Sequence, residues 1–532
     1  MGLSWILLAI LGVAVVLRIL RYGQRSKGYP PGPPTLPFIG NLHQLPRSGL
    51  LHEKFQEWAD QYGPVVSIKL GSQTMILLND RTAVKELLDK RSQNTSARMD
   101  MFLGEFGGHN QILMRNNDET WRRQRRMYHR NLNGQNADVY LPYQDYESIQ
   151  LLGDLLQTPA KFEDNLKRYT ASIGYTIAYG MRINSIEENK AARTLFEGPA
   201  QWTAGQVIVG MGLAITDWWP FLRILFRNMP TRIIPFLGEI DRLNRIESDL
   251  WDEQYQIVRR KVESGHVRPC TQISTGFQNA DQIPVIPNSP HFGFLSRPVS
   301  PNTNRPSCAD FFFWQAMLLY PQCQKKAQEE IDAIVGADRL PKWSDWDSLP
   351  YTRGVLKETM RFYPATITGG MPHAVVKDDM YLGYTIPAGA GLVNNVWAVN
   401  NAVENPRNFD PTRFLEDSQS SMESAVQADA SKRDHFTFGA GRRICPGAHV
   451  ADRGLFVAMT RLLWSFNFEP FPGEKVEQDA FQPGFITSPV PFRYAPSFTP
   501  SGGDLGVTVL ARVREANQQS LACPQVPDKT TE

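Results

Sequence analysis

Along most of the chain, apolar residues recur three and four positions apart, the spacing that lines one face of an α-helix. "LLHEKFQEWADQYG" and "QCQKKAQEEIDAIVG" show it clearly, and both stop at a glycine, as helices often do. "DEQYQIVRRKVESG", "FFFWQAMLLYPQCQ" and "TWRRQRRMYHR" also read as helices. In "AHVADRGLFVAMTRLLWSF" the stripe is Val450, Leu455, Met459, Leu462 and Phe466. Shorter β-like runs are "PVVSIKLG", "MILLND" and "MYLGYTIPAGAGLVNNVWAV". No internal repeat interrupts the pattern, which predicts one large, mainly α domain with a small β-sheet.

The two ends depart from it. Leu3 to Leu17 is a mostly apolar run that includes Trp5; Arg18, Arg21, Arg25 and Lys27 follow, and no acidic residue occurs before Glu53. A helix continued to Leu20 rises ~27 Å at ~1.5 Å per residue, enough to cross a bilayer core. A cleaved signal peptide would carry basic residues before the run and a small-residue cleavage site after it, and neither is there. Myristoylation would want Ser or Thr where Ile6 stands. Residues 1–27 are therefore expected to form an uncleaved anchor and basic flank, with the rest of the chain on the cytosolic side. Residues 28–37 contain "YPPGPPTLP", whose five prolines predict a stiff extended hinge. Residues 38–500 are the expected globular body and 501–532 a tail.

Composition narrows the options. The 532 residues are 42% hydrophobic and 21% charged, which suits a large folded core, and a net charge of +2 gives no case for a nucleic-acid partner. The five cysteines (270, 308, 323, 445 and 523) are odd in number and far apart, so a disulfide framework is not expected. There is no P-loop and no H-E-x-x-H.

One cysteine has distinctive neighbours. "FGAGRRICPG", Phe438 to Gly447, puts Cys445 among glycines that permit tight turns and bring peptide N–H groups near the sulfur. The helix that follows should point the positive end of its dipole at Cys445 and favour the thiolate. A tyrosine-phosphatase loop would need Arg at Ala451, and a dinucleotide fingerprint would need Gly at Ile444.

Phe438, Gly441, Arg443, Cys445 and Gly447 match F-x-x-G-x-R-x-C-x-G, and on them the chain resembles the cytochrome P-450 family of heme-thiolate monooxygenases. The resemblance implies that fold, heme b as cofactor and Cys445 as axial iron ligand and catalytic centre. It further implies Arg443 as a propionate partner, Phe438 as a shield for the sulfur and Gly447 as part of the cofactor loop. A thiolate ligand pushes electron density onto iron and favours O–O cleavage. Trp121 and Arg125 match the family's W-x-x-x-R, and His373 resembles its propionate-contacting strand residue. Glu358, Arg361 and Arg413 match the structural Glu-Arg-Arg cluster, although Glu-x-x-Arg also occurs at Glu119, Glu239 and Glu404.

The 85 residues after Gly447 are too few for flavin and nicotinamide domains. The resemblance therefore implies a separate NADPH-cytochrome reductase, met by the basic face of Arg122, Arg123, Arg126 and Arg130. It also implies a single-pass placement at the endoplasmic reticulum membrane. Candidate pocket walls are "MDMFLGEFGGHNQIL", "TAGQVIVGMGLAI", "ATITGGM" and "GFITSPVPF", which suit a lipophilic substrate. "PHAVVKDDMYLGYTIPAGAGLVNNVWAVNN" is most similar to filamentous-fungal members that tailor secondary metabolites.

One stretch breaks the pattern. Where the family places its long distal helix with A-G-x-D/E-T, residues 265–310 carry seven prolines from Pro269 to Pro306 and no such motif. An interior proline costs a helix ~3 kcal/mol, so no continuous helix is expected there. A retained intron or reading-frame error, a degenerate heme-binding relic, and a working enzyme with an atypical distal wall all fit. In each, the expectation is heme ligation with poor turnover.

Overall fold

The structure, a computed structural model, describes residues 5–6, 10, 13, 21–47, 50–106, 112–196, 214–230, 233, 235–264, 308–473, 475–482, 487–490, 492 and 494–498. The expected anchor lies mostly outside these residues; Trp5, Ile6, Ile10 and Val13 are described, helical and exposed. No helix of the described residues is long and apolar enough to cross a membrane. The proline-rich 265–307 stretch is likewise outside them.

The first α-helix described from end to end is α1 (Leu51–Tyr62), which buries Phe55 and Trp58 and ends at Gly63, whose φ of +95° suits glycine. The hairpin β1 (Val65–Leu70) and β2 (Gln73–Leu78) follows, then β3 (Ala97–Arg98). Next come α2 (Glu119–Leu132), α3 (Leu141–Gln157), α4 (Phe162–Tyr179), α5 (Phe221–Asn228), α6 (Pro235–Glu263), α7 (Cys308–Leu319), α8 (Pro321–Ile334) and α9 (Pro350–Phe362). The second half adds β4 (His373–Ala374), β5 (Asp379–Tyr381), β6 (Tyr384–Ile386), β7 (Gly391–Asn394), α10 (Val396–Asn401), α11 (Ser421–Ala425) and α12 (Ala448–Ser465). Four strands come last among the described residues: β8 (Phe466–Pro470), β9 (Phe481–Gln482), β10 (Ser488–Pro489) and β11 (Tyr494–Phe498).

The main sheet runs β1-β2-β7-β4-β3, with β2 and β7 parallel and the other pairs antiparallel. Its register sets Arg98 opposite His373. The largest core cluster gathers α3, α4, α7, α8, α9 and α12. In α7 four successive residues, Phe311 to Trp314, are buried, so this helix is enclosed on all sides. Phe312 stacks on Tyr363, and Phe162 on Trp314.

Two expectations need correction. Val396 to Val399, read with the β-like run, lie in helix α10 because the Asn395 side chain caps its start. Helix α12 is not a striped surface helix: Asp452, Arg453, Thr460 and Arg461 are buried with its apolar residues, each held by hydrogen bonds, and Phe466 belongs to β8. The proline-rich residues 30–34 are held against the body. Ser67 donates from N to Pro31 O (2.8 Å) and from Oγ to Pro30 O (2.6 Å), while Asn41 Nδ2 donates to Pro33 O and Pro34 O. A Cβ at Gly32 would collide with the Ser67 carbonyl, so glycine permits the close approach.

Candidate active site

Cys445 sits at the end of a loop whose shape is set by two glycines. Gly439 and Gly441 have φ of +81° and +63°, and a Cβ on Gly441 would collide with the Leu88 carbonyl oxygen. The Cys445 N–H donates to Phe438 O (2.9 Å) and the Gly439 N–H to Phe436 O (2.9 Å). Phe438 packs against the main core beside this turn. The sulfur accepts from the Gly447 N–H, and the Arg125 guanidinium lies near enough to act on it.

These two favour the thiolate, yet burial outweighs them and pushes the Cys445 thiol up. The helix start does favour the anion, through the Gly447 N–H, and burial works against it. Cys445 keeps part of its surface open, but protein closes around it enough for desolvation to dominate. A metal cation at the open side is the partner that deprotonates such a sulfur outright.

Around the loop the structure brings together Trp121, Arg125, His373 and Arg443, and adds Arg98. Arg443 donates to the carbonyls of Ser96 (2.8 Å), Ile112 (3.1 Å) and Arg115 (2.8 Å), and its guanidinium stands 4.1 Å from the Trp121 ring centroid. Arg125 donates to Ile444 O, and Arg98 to Leu113 O and Met371 O. His373 Nδ1 lies 2.9 Å from Thr95 O; burial and the Arg98 charge push its imidazole down to about 3, so it is neutral. Burial, then Arg98 and Arg125, push Arg443 down to about 8. Burial lowers Arg98 to about 10 and lowers Arg125 as well.

Among the described residues, none of the three guanidiniums forms an ion pair with a carboxylate, and the buried Trp121 Nε1–H has no acceptor. Arginine does not surrender its proton readily, so this arrangement calls for anions from outside the chain. Two propionates beside an iron facing Cys445 meet that need, and the residues present fit heme. Trp121→Phe keeps the ring under Arg443 and removes only the N–H. Heme affinity is expected to fall about fivefold, one net hydrogen bond of ~1 kcal/mol, as measured by transfer to an apoglobin acceptor.

The Glu-Arg-Arg cluster also assembles. Arg361 holds buried Glu358 in a fork, Nε to Oε2 at 2.6 Å and Nη2 to Oε1 at 2.7 Å. The Asp410 N–H donates to the same Oε1 at 2.9 Å, and Arg413 Nε stands 3.6 Å from it. Arg361 also donates to Asn400 O and Pro406 O, fixing the chain that leads towards the cysteine loop. Burial raises the Glu358 carboxyl, with Arg361 opposing. The competing motifs separate by environment: Glu239–Arg242 is an exposed pair, Glu119 binds Arg123, and Arg407 turns to Asp479.

The expected pocket walls are described in part. Residues 107–111, 197–213 and 483–486 lie outside the described set. Buried Phe102 donates its N–H to Asp217 Oδ1 (2.8 Å). Arg223 bridges Asp100 (2.8 Å) and Asp217 (2.6 Å), and Arg227 pairs with Glu105. Thr487 N–H donates to Ala365 O (2.8 Å), joining two further walls. Arg122, Arg123, Arg126 and Arg130 are exposed along α2.

Comparison with known proteins gives the family. The family profile of cytochrome P-450 matches residues 30–226 and 309–496, leaving a gap that contains the proline-rich stretch. Cytochrome P-450 monooxygenase virE of Hypocrea virens is 39% identical over 500 residues, spanning 90% of this chain and 87% of its own. The monooxygenase fogE of Aspergillus ruber is 38% identical, spanning 92% of this chain and 90% of its own. In fold, a solved zebrafish cytochrome P-450 with progesterone superposes with a TM-score of 0.65 at 22% identity, covering 84% of this chain and 99% of that one. By its profile, its relatives and its cysteine loop, this chain belongs to the cytochrome P-450 family of monooxygenases.

Proposed function

We propose that the protein is a membrane-associated monooxygenase that inserts one atom of O2 into a lipophilic small molecule of fungal secondary metabolism, with electrons from a separate NADPH-cytochrome reductase. The observation that carries the reading is Cys445 near Arg98, Arg125 and Arg443, guanidiniums with no carboxylate partner among the described residues, which suits an iron with two carboxylates. When bound, heme supplies oxygen activation and transfer. The chain's part is to seat it: Arg98, Arg125, Arg443 and the Trp121 N–H hold the carboxylates, and Gly447 N–H and Arg125 steady the sulfur's charge. The test is coexpression with a reductase, a red-shifted Soret band on reduction and carbon monoxide binding, then product formation from lipophilic candidates.

Membrane attachment is supported by one apolar face. Phe38 stacks on Trp219 with centroids 5.2 Å apart, and Phe221, Ile224 and Leu225 of α5 are exposed nearby. The basic flank after the apolar N-terminal run supports, as part of this proposal, placement at the endoplasmic reticulum with the catalytic body in the cytosol. The exposed arginines of α2 suit an acidic donor. Reversing Arg122, Arg126 and Arg130 to Glu should slow reduction by about 10-fold or more at low salt and leave the carbon monoxide spectrum unchanged. Stopped-flow reduction measures it.

A second reading, a heme-binding relic, is favoured by the gap in the family match between residues 226 and 309. Sequencing the transcript across codons 265 to 311 distinguishes a retained intron from a translated segment. Coupled hydroxylation by this same chain would exclude the relic.

A further inference from the structure

The cysteine loop is glycine-rich and has two ends: the stretch 435–438 on one side and α12 on the other. A buried chain of hydrogen bonds joins them. Asp452 of α12, 2% exposed, accepts from Ser421 Oγ at 2.6 Å and from Ser421 N at 2.9 Å. Ser421 Oγ lies 3.3 Å from Nε2 of buried His435, whose Nδ1 accepts the Thr437 N–H at 3.3 Å. Burial lowers the His435 imidazole towards its neutral form, and Nδ1 is already an acceptor, so the ring proton is on Nε2. The bonds therefore run one way, from His435 to Ser421 to Asp452. Next along the chain, Phe438 O receives the Cys445 N–H.

A carboxyl in this place needs a reason. Burial raises Asp452 to about 7 despite the two donors from Ser421. Asp434 adds to that rise, and Lys357, which lies 2.7 Å from Asp417 and 3.4 Å from Asp434, opposes it. An apolar residue would fill the space without that cost. What the carboxyl adds is a fixed, doubly anchored link from α12 across α11 to the upstream end of the loop.

We propose that Asp452, acting through Ser421 and His435, is a positioning residue that staples the two ends of the Cys445 loop and so fixes where the sulfur stands; this rests on the heme-thiolate reading above. The staple works as a unit: removing either Asp452 or Ser421 opens it, and removing both opens it no further.

The test uses the full chain with Asp452→Asn, Ser421→Ala and the double variant. In the heme-loaded proteins each single variant should lose heme about 10-fold faster than wild type, as supporting residues of metal ligands do, and the double variant no faster than either. In cofactor-free protein, amide exchange of residues 436–447 should quicken in all three while residues 455–465 keep their protection. Ser421→Thr, which keeps the hydroxyl, should restore wild-type rates. Heme loss and exchange within about twofold of wild type in both single variants overturn the proposal, and so does an additive double variant. A wild-type protein with no red-shifted Soret band would sink the thiolate reading instead, and the exchange measurement would then decide on the staple alone.

Discussion

Cys445→Ser protein is expected to keep its fold, lose the red-shifted Soret band and turn over at background, a fall of more than about 1000-fold, or roughly 4 kcal/mol of barrier. The geometry explains why the two effects separate. Burial holds the thiol in its neutral form in the protein alone, so exchanging SH for OH costs the cofactor-free chain little. The Cys445 N–H to Phe438 O bond and the Arg125 bond to Ile444 O do not involve the side chain and remain. What disappears is a soft, anionic iron ligand that a hydroxyl does not replace at neutral pH. Absorption spectra with carbon monoxide, circular dichroism and NADPH consumption measure the three consequences. An unchanged spectrum would refute the assignment of the sulfur.

Arg361→Ala should be the most damaging change away from the sulfur. It leaves Glu358 fully buried with the Asp410 N–H and the more distant Arg413 as its remaining partners. A stranded buried charge costs about 3–5 kcal/mol. Arg361 also anchors Asn400 O and Pro406 O, so the loss extends to the segment beneath the cysteine loop, and heme content should fall with stability. Denaturant unfolding of the cofactor-free chain gives the stability change, and a loss below about 1 kcal/mol would contradict the account. Arg413→Ala, 3.6 Å from the carboxylate and partly exposed, should cost much less, about 1 kcal/mol.

The cysteine loop was legible because its residues answer local demands: positive φ at Gly439 and Gly441, closeness at Gly441 and a donor at Gly447. The long helices were legible for the same reason, since their spacing and stops are local. Arg98 was not. It gains meaning only when β3 pairs with β4 and sets it opposite His373, a contact between residues 275 positions apart in sequence. Asp452, Ser421 and His435 are equally silent, being ordinary polar residues until folding buries them together. The α10 segment looked like a strand because Val396, Trp397 and Val399 favour strands, and the Asn395 cap overrode that preference.

The proline strap gives the body a fixed attitude. Gly32 lies against the Ser67 carbonyl, and the Pro30, Pro31, Pro33 and Pro34 carbonyls are taken by Ser67 and Asn41, so residues 30–34 move with β1 as one piece. There is no swivel here. A push or pull arriving at residue 30 is therefore handed straight to the sheet, because residues 30–34 have no slack in which to absorb it.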